Sequence, residues 1–443
     1  MSPVYASIVL LGPSIFKGNS ILKKQYYVLI LIIIVIFGSF IILGLKRGKT
    51  SYHSFVDYPG FKEYYEKSCG KGEPASIVSE TEKKLLSKYR PRLILPPGGR
   101  YPIDFYEEYI PYTVMRRFPE TTIVVDKVTP EILAAFQEDK KVYLDFQFDR
   151  YRKAGLDRRV GNSNQLNSKK RKLPVVYGRF YQERVDFPDE KGKFHSRDFT
   201  FLKYNVVFAF SGLPAIIFPE GFETLLIIIG LGPDNWHELD NFVAIHVVLD
   251  EREKPVAVIL AQHNHHRTFL IGKEIFFPSN GRMIFDIALR SNEIYPASDN
   301  EDPVKHRVIQ WSLYFKYLLS GEDPPFFKGF DVTYGIKAGG VEMPYKLAFL
   351  SPCDPLYTAK IMLGEPRPFM GRYIGRDGPP GSDYYTIPSL LPLGNLLKFS
   401  YLHDYDPDDI RMVEKSIDLN KKEINVKRLM EYGGRSFYKD LKR

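Results

Sequence analysis

Cysteine is nearly absent. Cys69 and Cys353 are the two in 443 residues, which excludes a disulfide framework and a cysteine-based zinc ribbon. One long-range pair between them stays open, subject to an oxidising compartment and a Cα separation under about 7 Å. Also missing are the Gly-X-Ser-X-Gly elbow, the full Gly-X-X-X-X-Gly-Lys-Ser/Thr phosphate loop and the His-Glu-X-X-His helix. The enzyme classes defined by those motifs are set aside. Gly230-Leu231-Gly232 runs into Pro233 and is no dinucleotide fingerprint. No internal repeat is visible. The net charge of +9 comes from basic residues dispersed among acids, so a solvated basic surface is expected and nucleic acid is not. Lys169-Lys170-Arg171-Lys172 is the one basic cluster, and the polar stretch Gly161 to Gln165 before it marks an exposed loop.

Long apolar runs are equally scarce, which makes the single one informative. Tyr26 to Leu45 carries no charge over twenty residues and can span a hydrocarbon core of roughly 30 Å as one helix. Lys17, Lys23 and Lys24 precede it and Lys46, Arg47 and Lys49 follow, so the positive-inside bias nearly cancels. Leu45-Lys46-Arg47-Gly48 offers no small-residue cleavage site. The expectation is an uncleaved, single-pass signal anchor, with the membrane as one partner. A short arm, residues 1–25, then precedes the anchor, residues 26–45, and the trailing domain lies across the membrane, extracytoplasmic or lumenal.

What is abundant points to β structure. Hydrophobic residues make up 44% of the chain, with 30 Tyr and 32 Phe, and 33 Gly and 32 Pro punctuate them. Residues 46–89 read as a juxtamembrane stalk with a charged helix, Ser79 to Lys88, that Pro91 stops. Residues 90–320 read as the β domain, and residues 321–443 as a Pro/Gly-rich wrap with C-terminal helices near Asp406 and before Gly433. Strands are expected at Thr121 to Asp126, Lys141 to Phe148 and Met283 to Leu289. Thr129-Pro130 opens a short helix to Gln137. In Leu202 to Phe210, alternation places Leu202, Tyr204, Val206, Phe208 and Phe210 on one face of a half-buried antiparallel strand. Val304 to Leu319 changes period and predicts a helix with Val304, Val308, Trp311, Phe315 and Leu318 on one stripe.

Candidate chemistry concentrates in Pro233 to Asp250 and Val256 to Arg267, which hold five of the nine histidines. Phe242 to Leu249 and Pro255 to His263 read as a hairpin about Arg252 and Glu253. Extending its register sets Phe242 opposite His263, Asp240 opposite His265 and Glu238 opposite Arg267. Alternation then gathers Glu238, Asp240, His246, His263, His265 and Arg267 on one face. Neutral imidazoles beside carboxylates suit a zinc or manganese site with His263, His265 and Asp240 as ligands, Glu238 as general base and Arg267 facing an anionic transition state. The same residues also suit plain cross-strand pairing, with Glu238 and Arg267 as a salt bridge. Trp236 reads as a core anchor.

Several ordered motifs carry a family likeness: PRLILPPGGRYPIDF from Pro91, FLKYNVVFAFSGLP from Phe201, DNWHELD from Asp234, PVAVILAQHNHHR from Pro255 and ALRSNEIYP from Ala288. Over residues 90 to 300 the chain resembles the vacuolar-protein-sorting-associated sixty-two-like family and, more remotely, the necrosis-inducing toxin fold. The resemblance implies an antiparallel β-sandwich. It departs at the acidic Trp motif, where the family's His-X-Gly-Asp-Trp-Glu is replaced by Gly232-Pro233-Asp234-Asn235-Trp236-His237, so neither metal binding nor toxin activity carries over. The expected function is a membrane-anchored β-sandwich that binds a ligand or an envelope partner through the polar face of the His-rich hairpin. The alternative is a metal-dependent hydrolase at that hairpin, and a toxin is a third option that an uncleaved anchor opposes.

Overall fold

In the computed structural model the residues described are 78–117, 120–135, 142–161, 172–188, 194–218, 237–240, 244–262, 265–272, 275, 282–307, 328–351, 354, 364, 367–369, 372–374, 417–418 and 423–424. The apolar run 26–45, Cys69, Cys353 and Trp236 lie outside them. Among the described residues no helix is long and apolar enough to cross a membrane. By contacts the chain divides into two units, Met1–Tyr52 with Arg367–Ile374, and the remainder. In the first unit the described residues form a small antiparallel pair, Arg367–Phe369 with Arg372–Ile374.

The second unit is mainly β, with several sheets and few helices. Along the chain run α1 (Glu80–Lys88), β1 (Arg92–Leu95), β2 (Thr113–Arg117), β3 (Thr122–Val125), α2 (Pro130–Ala135), β4 (Val142–Phe146) and α3 (Phe148–Lys153). Then come β5 (Val175–Pro188), β6 (Phe194–Val206), β7 (Phe208–Ser211), β8 (Ile216–Phe218), β9 (His237–Asp240), β10 (Ala244–Leu249), β11 (Pro255–Gln262) and β12 (His265–Leu270). The series closes with β13 (Ile284–Ile287), β14 (Ile294–Pro296), β15 (Val304–Arg307), β16 (Lys328–Thr333), β17 (Val341–Glu342) and β18 (Lys346–Phe349).

A six-stranded sheet in the order β12-β11-β10-β6-β5-β18 lies at the centre. A four-stranded sheet, β14-β13-β1-β17, shares a core with it. Leu93, Leu95, Phe285, Ile287 and Ile294 of the smaller sheet meet Leu202, Tyr204, Ile245, Val247, Val258 and Leu260 of the larger. Each such side chain removed from water contributes roughly 1.5–3 kcal/mol, so this interface is a large contributor to the stability. A second core joins Val175, Tyr177, Val207, Ala209 and Phe210 to β2, β4 and the segment Ile103 to Ile110. Val176 belongs to the first core while Val175 and Tyr177 belong to the second, so the period of two along β5 splits neighbours between them. Among the described strands the pairing is mostly antiparallel, while β1 with β13 and β18 with β5 run parallel.

Several expectations from sequence need correction. The helix assigned to the stalk belongs to the domain: Ser79 and Glu82 form a reciprocal capping box, and Leu85, Leu86 and Tyr89 are buried in the first core. The strand read as Leu202 to Phe210 breaks at Val207, which moves Phe208 into the first core and Phe210 into the second. Neither face is solvated, because Lys203 and Asn205 are as buried as Leu202 and Tyr204. The helix predicted from Val304 begins instead as β15, held by pairing of Val304 with Thr333 and Arg307 with Phe330. Tertiary pairing overrides a helical stripe that starts on a β-branched residue. Within the stretch read as C-terminal helices, Ile417–Asp418 and Glu423–Ile424 pair antiparallel.

Candidate functional site

The His-rich hairpin forms with the expected register over its central part: Ile245 faces Leu260, His246 faces Ile259 and Val247 faces Val258. The register does not extend to the predicted ligands. β11 ends at Gln262, and the two residues His263 and Asn264, which lie outside the described set, connect it to β12. β12 then folds back so that His265 pairs with Gln262 and Arg267 with Leu260. Asp240 and Glu238 sit on β9, which pairs with β7: Asp240 faces Phe208 and Glu238 faces Phe210. The expected pairs Asp240 with His265 and Glu238 with Arg267 are therefore replaced by other partners. The cause is that β12 pairs back along β11 and residues 237–240 pair with β7, where the sequence reading assumed two continuous strands facing each other. Among the described residues no group of three His, Cys, Asp or Glu side chains converges as a metal would require.

A different set of polar residues does converge on the same sheet. Arg179 on β5 pairs with Lys203 on β6, and Lys203 pairs with His246 on β10. The three form one register row on adjacent strands, on the face opposite Leu202, Tyr204, Ile245 and Val247. Arg179 is 3% exposed, and Lys203 and His246 are fully buried. Asn205, also fully buried, lies in the neighbouring row between Tyr177 and Ala244.

Aromatic rings frame this row. Tyr181 stacks on Phe201 at 5.0 Å between centroids, and its hydroxyl lies 3.1 Å from His246 Nδ1. The Arg179 guanidinium stands 5.8 Å from the Tyr181 ring centroid, within cation–π range. Tyr177 donates its hydroxyl proton to Asp104 Oδ1 at 2.9 Å and accepts the Phe105 N–H at 2.9 Å. Burial, and then the nearby Asp104 carboxylate, push the Tyr177 hydroxyl far above its ordinary range, so it serves as a fixed neutral donor.

Two like charges held at a strand spacing of about 5 Å repel by roughly 3 kcal/mol at an effective dielectric near 20. Such a row is stable only where negative charge or strong acceptors offset it. Arg179, Lys203, Asn205 and His246 each make interactions with their surroundings. Chemically, the row can hold an anionic group or serve as a buried polar network.

Sequence reasoning missed Arg179, Lys203 and Asn205. The available signal was local: the positions alternating with Leu202, Tyr204 and Val206 continue beyond Asn205 into Val207 and Ala209, which is unlike a solvated face. It also missed the use made of the ALRSNEIYP stretch. Ser291 Oγ donates to Asp331 Oδ1 at 2.8 Å, Tyr295 donates to Asp331 Oδ2 at 2.8 Å, and Asn292 Nδ2 donates to the Phe210 carbonyl at 2.8 Å. Arg290 and Asn292 both take positive φ, 70° and 62°, so this motif builds a tight turn tied to β16 and β7.

No family model matches the chain. No curated protein matches it either. A crystal structure of a mutant of NLPPya is similar over 51% of this chain and 71% of its own, with a TM-score of 0.24 and 9% identity. At that level the likeness carries no conclusion about this chain.

Proposed function

We propose that this protein is a membrane-tethered binding module whose β domain takes an anionic group, free or carried on an acidic segment of an envelope partner, at the polar face of its six-stranded sheet. The elements covering the buried Arg179, Lys203 and His246 move to admit it. Tyr26 to Leu45 is its single-pass anchor, and the domain lies on the extracytoplasmic or lumenal side. The two sheets that share the first core are the layers of a β-sandwich of the kind that the ordered motifs share with the sixty-two-like family.

The observation that carries this reading is the row Arg179, Lys203, His246. Basic side chains in a sheet interior cost free energy unless matched. The concentration of positive charge on one face, not a vacancy, favours an anion there.

The test uses the full chain in detergent micelles, with sulfate, inorganic phosphate and an acidic peptide as probes. Specific anion binding raises the melting temperature in proportion to ligand concentration over Kd. The wild type is expected to be stabilised by at least one probe, and the Arg179→Met, Lys203→Met variant is expected to fold and lose that response. An unchanged response in the variant would sink the proposal. So would a wild type that no probe shifts beyond a matched chloride control.

A further inference from the structure

The four-stranded sheet holds a buried carboxyl that the binding face does not use. Asp286 sits on β13 between Ile94 of β1 and Tyr295 of β14, and is fully buried. Its Oδ2 accepts the Ser298 N–H at 2.8 Å. No donor among the described residues reaches its Oδ1.

A tight turn covers it. The amides of Ala338 and Gly340 both donate to the Gly335 carbonyl, at 3.0 and 2.9 Å. A Cβ on Gly335 would collide with the Ser298 carbonyl oxygen and stand 3.6 Å from Asp286 Oδ2. A Cβ on Gly340 would collide with the Tyr334 carbonyl and with Ile94. Glycine at 335 therefore lets backbone close down beside the carboxyl, and glycine at 340 lets the turn fold back on itself against Ile94.

We infer that Asp286 is a proton-operated latch: uncharged, it lies under the Tyr334 to Gly340 turn; ionised, it becomes a buried charge with an unmet oxygen, and the turn and Ser298 lift to admit water. The inference is independent of the anion-binding face.

The direction follows from burial. Desolvation raises the Asp286 carboxyl from 3.8 to about 6, against the smaller opposing pull of the Ser298 N–H. The charged groups of the elements packed around it do not reverse this. Asp331 is engaged by Ser291 and Tyr295, Asp299 pairs with Lys337 at 2.8 Å, and Arg92 pairs with Glu342 at the end of β1. Glu293 lies on the segment leading into β14, and His306 of β15 stacks on Tyr295 at 3.8 Å between centroids with its Nε2 2.9 Å from Thr333 Oγ1. Because the folded value is raised, the stabilisation is complete below 3.8 and is lost as pH rises through about 6.

Hydrogen exchange followed by mass spectrometry on the full chain in micelles, at pH 4 and pH 7 and corrected for intrinsic rates, tests the latch. Peptides covering Ser298 and Gly335 to Gly340 are expected to lose roughly fiftyfold in protection at pH 7, since each pKa unit is a factor of ten. Asp286→Asn should reduce that change to less than about threefold, and Asp299→Asn, an exposed control, should leave it intact. Equal pH profiles for wild type and Asp286→Asn would overturn the latch. If Asp286→Asn fails to fold, the wild type decides alone: unchanged protection of Ser298 and the turn between the two pH values overturns it.

Discussion

The two faces of the six-stranded sheet are equally dry and chemically opposite. On one, Tyr204, Ile245, Val247, Val258 and Leu260 pack into the first core. On the other, one residue along each strand, Arg179, Lys203, Asn205 and His246 are buried with Tyr177, Tyr181 and Phe201 around them. The backbone is shared, so the difference lies wholly in side-chain chemistry. Burial of the first set stabilises the fold by itself, whereas burial of the second is tolerable only with matched partners.

The contrast can be broken most severely by putting a charge on the apolar face. Val247→Asp places an unpaired carboxylate between the two sheets and should cost more than about 4 kcal/mol, enough to abolish cooperative unfolding in a denaturant titration. A variant that still unfolds cooperatively with a small shift would show that the first core is wetter than described. On the polar face the two replacements of Lys203 should diverge. Both remove the ammonium and leave its partners uncompensated, but Lys203→Ala also opens a cavity and should cost about 2 kcal/mol more than Lys203→Met, which fills the volume. Equal costs in chemical denaturation would show that the volume of Lys203 contributes nothing and that only its ammonium matters. The smallest effect belongs to Tyr181→Phe, which deletes the hydroxyl beside His246 Nδ1 and should cost about 1 kcal/mol. Its effect on anion response, set beside its effect on melting, separates a ligand-facing hydroxyl from one that only orients the imidazole.

Much of the local structure was legible in the chain. Ser79 and Glu82 announce the start of α1, Thr129-Pro130 announces α2, and the turn at Asp250 to Lys254 sets the register of β10 against β11. These features depend on residues a few positions apart: a cap, a fixed proline φ, a short loop between alternating segments. The site was legible only in part. His246 was placed on the hairpin's polar face, yet Asp240 and Glu238 pair with β7 while His265 and Arg267 pair with β11, and neither long-range choice is written in local periodicity.

By itself, then, the sequence determined a β-rich chain, its helix starts, the central hairpin and one uncharged apolar run of twenty residues. Only the tertiary structure decided that β1 runs parallel to β13, that β9 pairs with β7, that Val304 begins a strand, and that Lys203 faces Arg179 and His246 inside the protein. The physical reason is range. Periodicity and turn chemistry are written between neighbours, whereas the pairing of Arg92 with Ile284, or the closure of a glycine turn over Asp286, depends on contacts that exist only once distant segments have collapsed onto each other.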